Sequence, residues 1–468
     1  MRWKITPETL PRPRLAVLSL GCKLNHAEGE AMRHRCAEAG YEVVPFDAEA
    51  EVYVVNTCTV TAEADREGRR LARRARRQAP PGARVVLAGC SAQANPRAMR
   101  IPEADLLLGN AEKLRLPEHL ARPPRRGEGG LPEVRVAPLE ETLGIDACAL
   151  PHFEGRTRAY LKVQDGCDFS CAFCATTLAR GASRSLAEAA CADEAGRLSA
   201  GGHREIVLTG IHLGAYGRDL TPPTTLSRLV GRLLRVEGLG RLRLSSVEPG
   251  EVTRELLRVA ARGAFGQKDE GGAYLCRHFH IPVQSGDDGV LAAMGRNYRA
   301  GRCAGRFAAL AEAIPGVCLG ADFIVGFPGE SGAAFERTLE WVRETPLSYL
   351  HVFPYSPREG TRAAAMAGRL PPAELRARAR ALGALGRRKW AAFAAAQIGS
   401  GAEVLFERRR GEDGLLAGLA DNYVRVLARG PAEWVGRLVP VRLEPLPPGR
   451  AEARGGSRAD LLWGVPLA

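Results

Sequence analysis

Three cysteines fall within eight residues of one another in the stretch QDGCDFSCAFC, at positions 164–174. They are Cys167, Cys171 and Cys174, spaced C-x3-C-x2-C. Thiolates bind soft metals, but a structural zinc site usually has four protein ligands. A four-iron cluster normally takes one thiolate per iron, so three cysteines would leave one iron open to a substrate. The spacing therefore favours a reactive [4Fe–4S] cluster.

Two other interpretations of this stretch stay open at this point. One is a zinc site completed by a distant cysteine or histidine, although an aromatic residue directly before the last cysteine, here Phe173, is unusual for zinc. The other is a set of three buried cysteines that bind no metal.

A second set of three cysteines is spread along the first 90 residues. Cys22 follows the apolar run RLAVLSLG, Cys58 follows EVYVVNT, and Cys90 follows ARVVLAG. Because the carboxyl ends of parallel strands gather at one edge of an open α/β sheet, these three thiols are expected to meet there. Small or polar neighbours leave room for a second cluster. The alternative is chance, because single cysteines after strands are common.

The hydrophobic pattern predicts the strands and helices that must position these cysteines. Residues 1 to about 115 alternate β-rich runs with helix-prone stretches, which predicts an open parallel sheet with crossover helices. From about residue 155 a longer strand–helix alternation predicts a partial barrel of parallel strands, whose active site would lie at the carboxyl ends. A long helix follows at 371–399, and the short strands after it fit a small antiparallel barrel of the kind that often binds nucleic acid.

The fold class is therefore α/β with an appended small β-barrel. The expected domains are an N-terminal α/β domain, a linker, the partial barrel, the small barrel, and a tail of unassigned role; these correspond to residues 1–125, 126–150, 151–385, 386–448 and 449–468.

Composition limits what such a protein does. The chain of 468 residues has twelve cysteines, a pattern unlike the disulfide framework of a short secreted domain. Its net charge of +13 predicts a polyanionic partner such as RNA. No apolar run reaches the roughly 18 residues that a membrane span needs, and the start carries no signal-peptide pattern. We expect a cytoplasmic protein without a membrane partner.

The two cysteine sets together resemble a known family. C-x3-C-x2-C with an aromatic residue before its last cysteine resembles the radical S-adenosylmethionine (SAM) superfamily. GCKLN, VVNTCTVT and AGCSAQ around the N-terminal cysteines resemble the methylthiotransferases within it, and so do LTGIHLGAYG, LSSVEP, HFHIPVQSGDD, ADFIVGFPGE and HVFPYSPREGT. The resemblance covers about residues 14 to 445, and the C-terminal barrel resembles the family's RNA-binding TRAM domain.

The resemblance implies two [4Fe–4S] clusters and SAM as cofactors. Cys167, Cys171 and Cys174 would hold the cluster that splits SAM into methionine and a 5′-deoxyadenosyl radical. That radical would take hydrogen from C2 of an adenine. The N-terminal cysteines would hold the cluster that delivers the sulfur, which a second SAM methylates. An external electron donor and a sulfur source are implied partners.

Seven further residues are expected to contact SAM. Thr209 and Gly210 end a strand beside the cysteine loop, and Glu248 is a carboxylate at another strand end that would bind ribose, or alternatively pair with an arginine. The full set is Phe173, Thr209, Gly210, Glu248, Gln284, Ile324 and Gly326. No catalytic residue is expected beyond the cluster cysteines, and His278 and His280 are expected to be hydrogen-bonded core residues.

LTGIHLGAYG and YSPREGT most resemble the family members that act on N6-threonylcarbamoyladenosine beside the anticodon of tRNA. The resemblance thus implies the tRNA anticodon loop as substrate. Isopentenyladenosine in tRNA and an aspartate of a ribosomal protein are the alternatives within the family. A zinc-stabilised RNA-binding protein without catalysis is the alternative of another class.

Candidate RNA contacts are the six arginines of RRLARRARRQ at 69–78 and, in the small barrel, Tyr423 and Trp434. One position departs from the family pattern. Arg180, Gly181, Arg184 and Ser185 match it, but Leu186 stands where an arginine is expected. That departure leaves the substrate contacts of this loop open.

Overall fold

The computed structural model describes residues 12–142, 144–262, 272–410, 415–447 and 461–467. The chain divides into two compact units. The first consists of Met1–Leu143 with the short segment Ala175–Ala182, and the second consists of Gly144–Cys174 with Ser183–Ala468. Within the described ranges, no helix is both long and apolar enough to cross a membrane.

The first unit alternates strands and helices, as its sequence predicts. Its strands are β1 (Arg14–Ser19), β2 (Glu42–Val43), β3 (Val52–Thr57), β4 (Arg84–Gly89), β5 (Leu106–Leu108) and β6 (Glu133–Arg135). Its α-helices are α1 (Lys23–Glu38), α2 (Ala62–Gln78), α3 (Cys90–Ala94), α4 (Pro96–Met99), α5 (Leu116–Leu120) and α6 (Thr176–Arg180).

These strands form one parallel sheet in the order β2-β1-β3-β4-β5-β6. Strand β3 is buried along its whole length because VYVVNT is rich in β-branched and aromatic residues that pack on both faces. Helix α2 covers one face with Leu71, Ala72 and Ala75. Strand β6 lies in the stretch expected to be a linker, yet it pairs with β5 in register.

Among its described residues, the second unit begins with nine strands and seven α-helices. The strands are β7 (Arg158–Lys162), β8 (Gln164–Asp165), β9 (Arg184–Ser185), β10 (Glu205–Thr209), β11 (Arg241–Leu244), β12 (Tyr274–Leu275), β13 (His278–His280), β14 (Cys318–Val325) and β15 (Tyr349–Pro354). The helices are α7 (Glu188–Ala200), α8 (Leu226–Leu233), α9 (Arg254–Arg262), α10 (Asp288–Ala293), α11 (Ala300–Ala313), α12 (Gly332–Glu344) and α13 (Pro372–Ala396).

Seven of these strands form the expected partial barrel. Parallel strands pair in the orders β12-β11-β10-β7 and β13-β14-β15. A parallel bridge between Ser246 and His280 joins the two sheets. All seven strands therefore point their carboxyl ends the same way, toward the loops that carry the C-x3-C-x2-C motif and most of the expected SAM contacts.

The chain ends in a closed barrel of five strands, in the order β16-β17-β18-β20-β19. They are β16 (Gly401–Arg410), β17 (Leu416–Ala420), β18 (Arg425–Ala428), β19 (Leu438–Glu444) and β20 (Leu461–Pro466). Val404, Val426, Val441 and neighbouring aliphatic residues fill its interior. The sequence analysis assigned no role to the tail that contains β20, but this strand pairs with both β18 and β19 and so closes the barrel.

Buried charge joins this small barrel to the parallel sheet. Arg241 and Arg243 on β11 are fully buried and share one carboxylate, Glu205 on β10, at 2.6 and 2.7 Å. Burial opposes ionisation of Glu205, but the two guanidinium groups outweigh it and hold its pKa well below the usual range. Both arginines also donate to main-chain carbonyls of the barrel at 2.7–3.1 Å.

We predict that Glu205→Gln destabilises the second unit by about 3–5 kcal/mol, because it leaves two buried guanidinium groups without an anion. The thermal unfolding midpoint should fall clearly, and limited proteolysis should release the small barrel. The matched control is Glu340→Gln, which removes an exposed carboxylate paired with Arg343 on the same helix and should change stability by less than about 1 kcal/mol. Equal stability of the two variants would contradict this account.

Candidate metal centres and cofactor site

The three N-terminal cysteines lie where the sequence analysis placed them, at the carboxyl ends of neighbouring strands. Cys22 precedes α1 after β1, Cys58 follows β3, and Cys90 begins α3 directly after β4. Gly21 makes their approach possible, because it has a φ of +84° and a Cβ there would lie 2.4 Å from the Cys58 sulfur. The main chain before Cys22 therefore lies directly against the Cys58 thiol.

The surroundings of Cys58 and Cys22 favour the neutral thiol. Burial, with smaller effects of the neighbouring Cys90 and Cys22, raises the pKa of the Cys58 thiol to about 12. The pKa of Cys22 is also raised: the surrounding protein atoms desolvate its sulfur although the residue is exposed at the surface, Arg180 opposes the shift, and Cys90 adds to it. A metal that binds these sulfurs must therefore displace their protons.

The Arg180 guanidinium lies where it would compensate negative charge on the sulfurs. It is fully buried, and its Nε donates to the Cys90 sulfur at 3.3 Å. Its two terminal nitrogens donate to both carboxylate oxygens of Glu28 at 2.7 and 2.9 Å. This bidentate pair fixes the guanidinium plane, so the third donor is held toward Cys90.

A second buried cation shares the same carboxylate. Lys113 Nζ lies 2.5 Å from Glu28 and 3.2 Å from Asn25 Oδ1. Burial lowers the pKa of Lys113. Asn25 in turn donates to the carbonyls of Asn56 and Thr57 at the end of β3. Glu28 is thus the shared carboxylate of two buried basic groups, Lys113 and Arg180.

The second cysteine set lies on the loop after β8. Gly166 begins this loop with a φ of +74°, and the Phe169 amide donates to the Cys167 sulfur at 3.4 Å. Cys174 closes a turn by donating its amide to the Cys171 carbonyl at 3.2 Å. All twelve cysteines are free of disulfides. The loop thus presents three thiols without disulfide bonds beyond the strand ends of the partial barrel.

Two residues outside the motif contact these thiols. Arg296 donates to the Cys171 sulfur at 3.0 Å and forms an ion pair with Glu248. His212 Nδ1 lies 3.7 Å from the Cys167 sulfur, and its Nε2 lies 2.7 Å from Glu251. Neither Arg296 nor His212 was singled out from the sequence. His212 lies inside LTGIHLGAYG, but nothing in its spacing marked it, and Arg296 is one basic residue among 66.

The spacing of both sets argues against a single zinc ion. Two sulfurs bound to one tetrahedral zinc are about 3.8 Å apart, given Zn–S bonds of about 2.3 Å. Among the described residues, the only group of three possible ligand atoms within 4.8 Å of one another is His280, Asp322 and His351. Neither cysteine set meets that limit. In a polynuclear cluster each sulfur binds a different iron, so the sulfurs need not lie that close together.

The seven expected SAM contacts divide into two places. Thr209 ends β10 beside the cysteine loop, where its carbonyl accepts the Val163 amide at 3.0 Å. A Cβ at Gly210 would lie 2.8 Å from Gln164, which directly precedes the loop. Glu248 forms the alternative ion pair with an arginine, Arg296, and burial raises its pKa. These residues line the cysteine side of the strand ends.

The remaining contacts lie near the end of β14. Phe173 and Ile324 pack against the same buried apolar cluster, which includes Phe327 and Tyr355. Gln284 adopts a left-handed φ of +75°, a strained conformation for a residue other than glycine. Its carbonyl accepts the Ile324 amide at 3.0 Å, and its amide donates to the Asp322 carbonyl at 2.8 Å. The strain is thus held by pairing with β14.

Gly326 follows β14 with a φ of +71°, and a Cβ there would lie 2.3 Å from Leu375. Its amide donates to Glu330 at 2.7 Å, and Glu330 pairs with the buried Arg378 at 2.8 Å. The backbone at this strand end is therefore fixed on both sides.

The histidines of HFHIPV are hydrogen-bonded, as expected. His278 and His280 each lie 2.9 Å from the Tyr349 hydroxyl. His280 and His351 also lie 2.8 and 3.2 Å from Asp322. Burial would raise the pKa of Asp322, but the two imidazoles outweigh burial and hold it well below its usual range.

Several of the candidate RNA contacts form ion pairs or packing contacts within the protein. On α2, the ion pairs Arg70–Glu67, Arg73–Glu103 and Arg76–Asp105 engage three of the six arginines. Trp434 stacks on Phe406 at 5.5 Å against the barrel core. Leu186, in place of the expected arginine, is buried, and its carbonyl accepts the Tyr216 hydroxyl at 2.8 Å.

The partial parallel barrel and the C-x3-C-x2-C loop together define a radical SAM protein. The comparisons with known proteins agree with this class. Residues 161–342 match the Radical SAM superfamily, and residues 14–109 match a family described as Uncharacterized protein family UPF0004. The radical SAM methyltransferase TsrM from Kitasatospora setae shares the fold, with a TM-score of 0.52 and 16% identity over 76% of this chain and 77% of that one.

Other relatives align with most of the chain in sequence. The threonylcarbamoyladenosine tRNA methylthiotransferase MtaB of Bacillus subtilis is 37% identical over 92% of this chain and 93% of its own length. The protein of the same name from Aquifex aeolicus is 34% identical over 92% and 99%. The chain belongs to the threonylcarbamoyladenosine tRNA methylthiotransferase family. Its cofactors are those of the radical SAM enzymes, a [4Fe–4S] cluster and SAM.

We predict that Gly21→Ala impairs metal binding by the N-terminal cysteines, because the added Cβ collides with the Cys58 sulfur. Gly40→Ala is the matched control: Gly40 has a φ of +94°, but a Cβ there meets nothing within 4 Å. Both variants acquire the strain of a left-handed alanine, about 1–2 kcal/mol. Only Gly21→Ala should lower the iron and sulfide bound per chain. Equal loading of the two variants would contradict the contact.

Proposed function

We propose that this protein methylthiolates C2 of N6-threonylcarbamoyladenosine at position 37 of tRNA. The observation that carries the proposal is the presence of two separate thiol sets at parallel strand ends, each with a guanidinium donating to one sulfur. One set serves radical chemistry and the other sulfur delivery. The substrate follows the names of the relatives that match more than nine-tenths of this chain.

Each cysteine set would hold one [4Fe–4S] cluster. Cys167, Cys171 and Cys174 would hold the first and leave one iron for SAM, and Cys22, Cys58 and Cys90 would hold the second. When bound, the first cluster and SAM supply a 5′-deoxyadenosyl radical able to take hydrogen from an unactivated carbon. Such chemistry belongs to the cofactor, and the protein supplies binding, orientation and protection.

We expect the following residues to hold the cofactors. Thr209 and Gly210 would contact SAM beside the first cluster, while the Gln284 side chain and the backbone near Gly326 would contact it from the β14 side. Arg296 holds Glu248 and Cys171 in one hydrogen-bonded group, which fixes the carboxylate for ribose hydroxyls. The apolar cluster under Phe173 and Ile324 excludes water from the place where an adenine would lie.

The proposal names three partners: the anticodon loop of tRNA, an external electron donor, and a sulfur source for the second cluster. It places the protein with its tRNA in the cytoplasm. Isopentenyladenosine in tRNA and a ribosomal-protein aspartate are alternative substrates for the same chemistry. A zinc-stabilised RNA-binding protein is the non-catalytic alternative, and the observation against it is that neither cysteine set has its three sulfurs within 4.8 Å of one another.

Metal content distinguishes these functions. We expect roughly eight irons per chain after anaerobic reconstitution, and roughly four when Cys22, Cys58 and Cys90 are all changed to alanine, because each set takes a four-iron cluster. The matched control changes the buried cysteines Cys36, Cys148 and Cys303 to alanine and should keep eight. Four irons in the parent protein would end the two-cluster proposal, and zinc in place of iron would favour the non-catalytic alternative.

The same variants test the substrate in cells. Nucleosides from tRNA of a deletion strain should contain N6-threonylcarbamoyladenosine without its 2-methylthio group. The parent gene should restore the methylthio group, and the triple N-terminal variant should not. Restoration of 2-methylthio-isopentenyladenosine instead would assign the alternative tRNA substrate. No change in any tRNA nucleoside would point to the ribosomal protein.

Arg180 should influence the reduction potential of the second cluster, because hydrogen bonds to the cluster sulfurs help to set that potential. We predict that Arg180→Gln makes the potential more negative by roughly 40–90 mV, which corresponds to about 1–2 kcal/mol of lost stabilisation of the reduced state. A redox titration followed by electron paramagnetic resonance measures this. Arg66→Gln, on the exposed surface of α2, is the control. An unchanged potential with full iron loading would exclude the role.

A further inference from the structure

A cavity of about 420 Å³ lies between β15, α13 and the turn before β18. Its volume falls within the roughly 300–1,000 Å³ of small-molecule sites. The side chains that line it are mainly aromatic or basic: Tyr349, His351, Arg387, Trp390, Tyr423 and Arg425. All of them belong to the second unit. None was among the expected cofactor contacts.

The aromatic walls of this cavity meet at a right angle. The rings of Tyr349 and Trp390 are 6.3 Å apart with an interplanar angle of 87°. Tyr349 is also nearly parallel to Tyr423 at 5.9 Å. Perpendicular walls allow a flat aromatic ring to stack on one and to meet the edge of the other. The geometry fits a planar heterocycle better than an aliphatic chain.

The polar groups at the cavity are donors and cations. Arg387 and Arg425 are exposed, and within the described ranges neither forms an ion pair. The indole N–H of Trp390 likewise makes no hydrogen bond to a described residue. Many other arginines of this unit are paired with carboxylates, such as Arg277 with Asp421 at 2.7 Å. A ligand with an anionic group and hydrogen-bond acceptors would complement these cationic and donor side chains.

The backbone is strained at Tyr423, whose ring forms one wall of the cavity. Tyr423 has a left-handed φ of +71°, a conformation that costs of order 1–3 kcal/mol and persists where the surroundings impose it. Here the preceding residues Asp421 and Asn422 are buried and bonded to Arg277 and Gln397. One face of the Tyr423 ring lies on His278 at 4.2 Å. The turn is therefore held rigid.

The cavity lies along the first part of β15. Its lining residues Tyr349–Val352 pair with residues 320–323 of β14, whereas the expected SAM contacts on this side, Ile324 and Gly326, lie at and beyond the carboxyl end of β14. A group bound in the cavity therefore meets the first half of β15, and the base that would react beside SAM is expected at the carboxyl ends of the strands.

We propose that this cavity binds one nucleotide of the substrate RNA other than the nucleotide that is modified. Its base stacks on Trp390 and turns its edge toward Tyr349, and its phosphates pair with Arg387 and Arg425. This inference rests on the proposed function, because it takes RNA as the substrate. It adds a specific contact that lies between the parallel strands and the small barrel.

The test uses the reconstituted full chain and a fluorescein-labelled RNA hairpin that carries the anticodon stem and loop. Fluorescence anisotropy at several salt concentrations gives the affinity and its salt dependence. The double variant Arg387→Gln/Arg425→Gln should bind more weakly, with a slope of log affinity against log salt that is smaller by about 1.5, as expected for two lost phosphate contacts. Trp390→Leu should weaken binding about 5- to 100-fold without changing the slope, because stacking is uncharged.

The control is Arg254→Gln/Arg258→Gln, which removes the same charge from exposed positions of α9. Equal losses in both double variants would reduce the effect to general charge and overturn the proposal. Because all four arginines are exposed, neither double variant should unfold. If wild-type cells make the methylthiolated nucleoside but the cavity variants bind RNA like the control, the cavity assignment fails alone. If the hairpin binds through the cavity and no nucleoside is modified, the proposed function fails alone.

Discussion

The constraint on which this structure depends is the cost of removing a guanidinium group from water. A buried arginine is tolerable only where a carboxylate and further acceptors replace its hydration. The fold meets this condition at several places, of which three involve the small barrel or a cysteine set. Glu205 compensates Arg241 and Arg243 where the small barrel joins the sheet, and Glu28 compensates Arg180 beside the N-terminal cysteines.

The third place is the C-x3-C-x2-C loop, where Glu248 compensates Arg296. At both cysteine sets the arginine keeps one donor for a sulfur after its carboxylate is satisfied. The same chemical device thus serves two purposes. It makes burial of the cation possible, and it leaves a directed positive group exactly at the atom that would carry thiolate charge when metal is bound.

The parallel strands and the cysteines were predictable from sequence because both depend on local signals. Runs such as EVYVVN favour strands wherever they occur, and parallel strands bring residues at their ends together without knowledge of the distant fold. The partners of those cysteines were not predictable. Arg180 reaches Glu28 across 152 positions, and β20 closes the barrel from a stretch rich in proline, glycine and charge. Such pairings depend on tertiary position, and one sequence carries no signal of them.

The segment Ala175–Ala182 has a consequence for the order in which the protein is made. It directly follows Cys174 of the second unit but packs with the first, to which it contributes Arg180. The main body of the first unit ends 39 residues before residue 182. At about 5–20 residues per second, the ribosome needs roughly 2 to 8 s to supply this piece. During translation the N-terminal unit therefore remains incomplete until residue 182 has been synthesised. A recombinant fragment that stops at residue 143 would lack this segment.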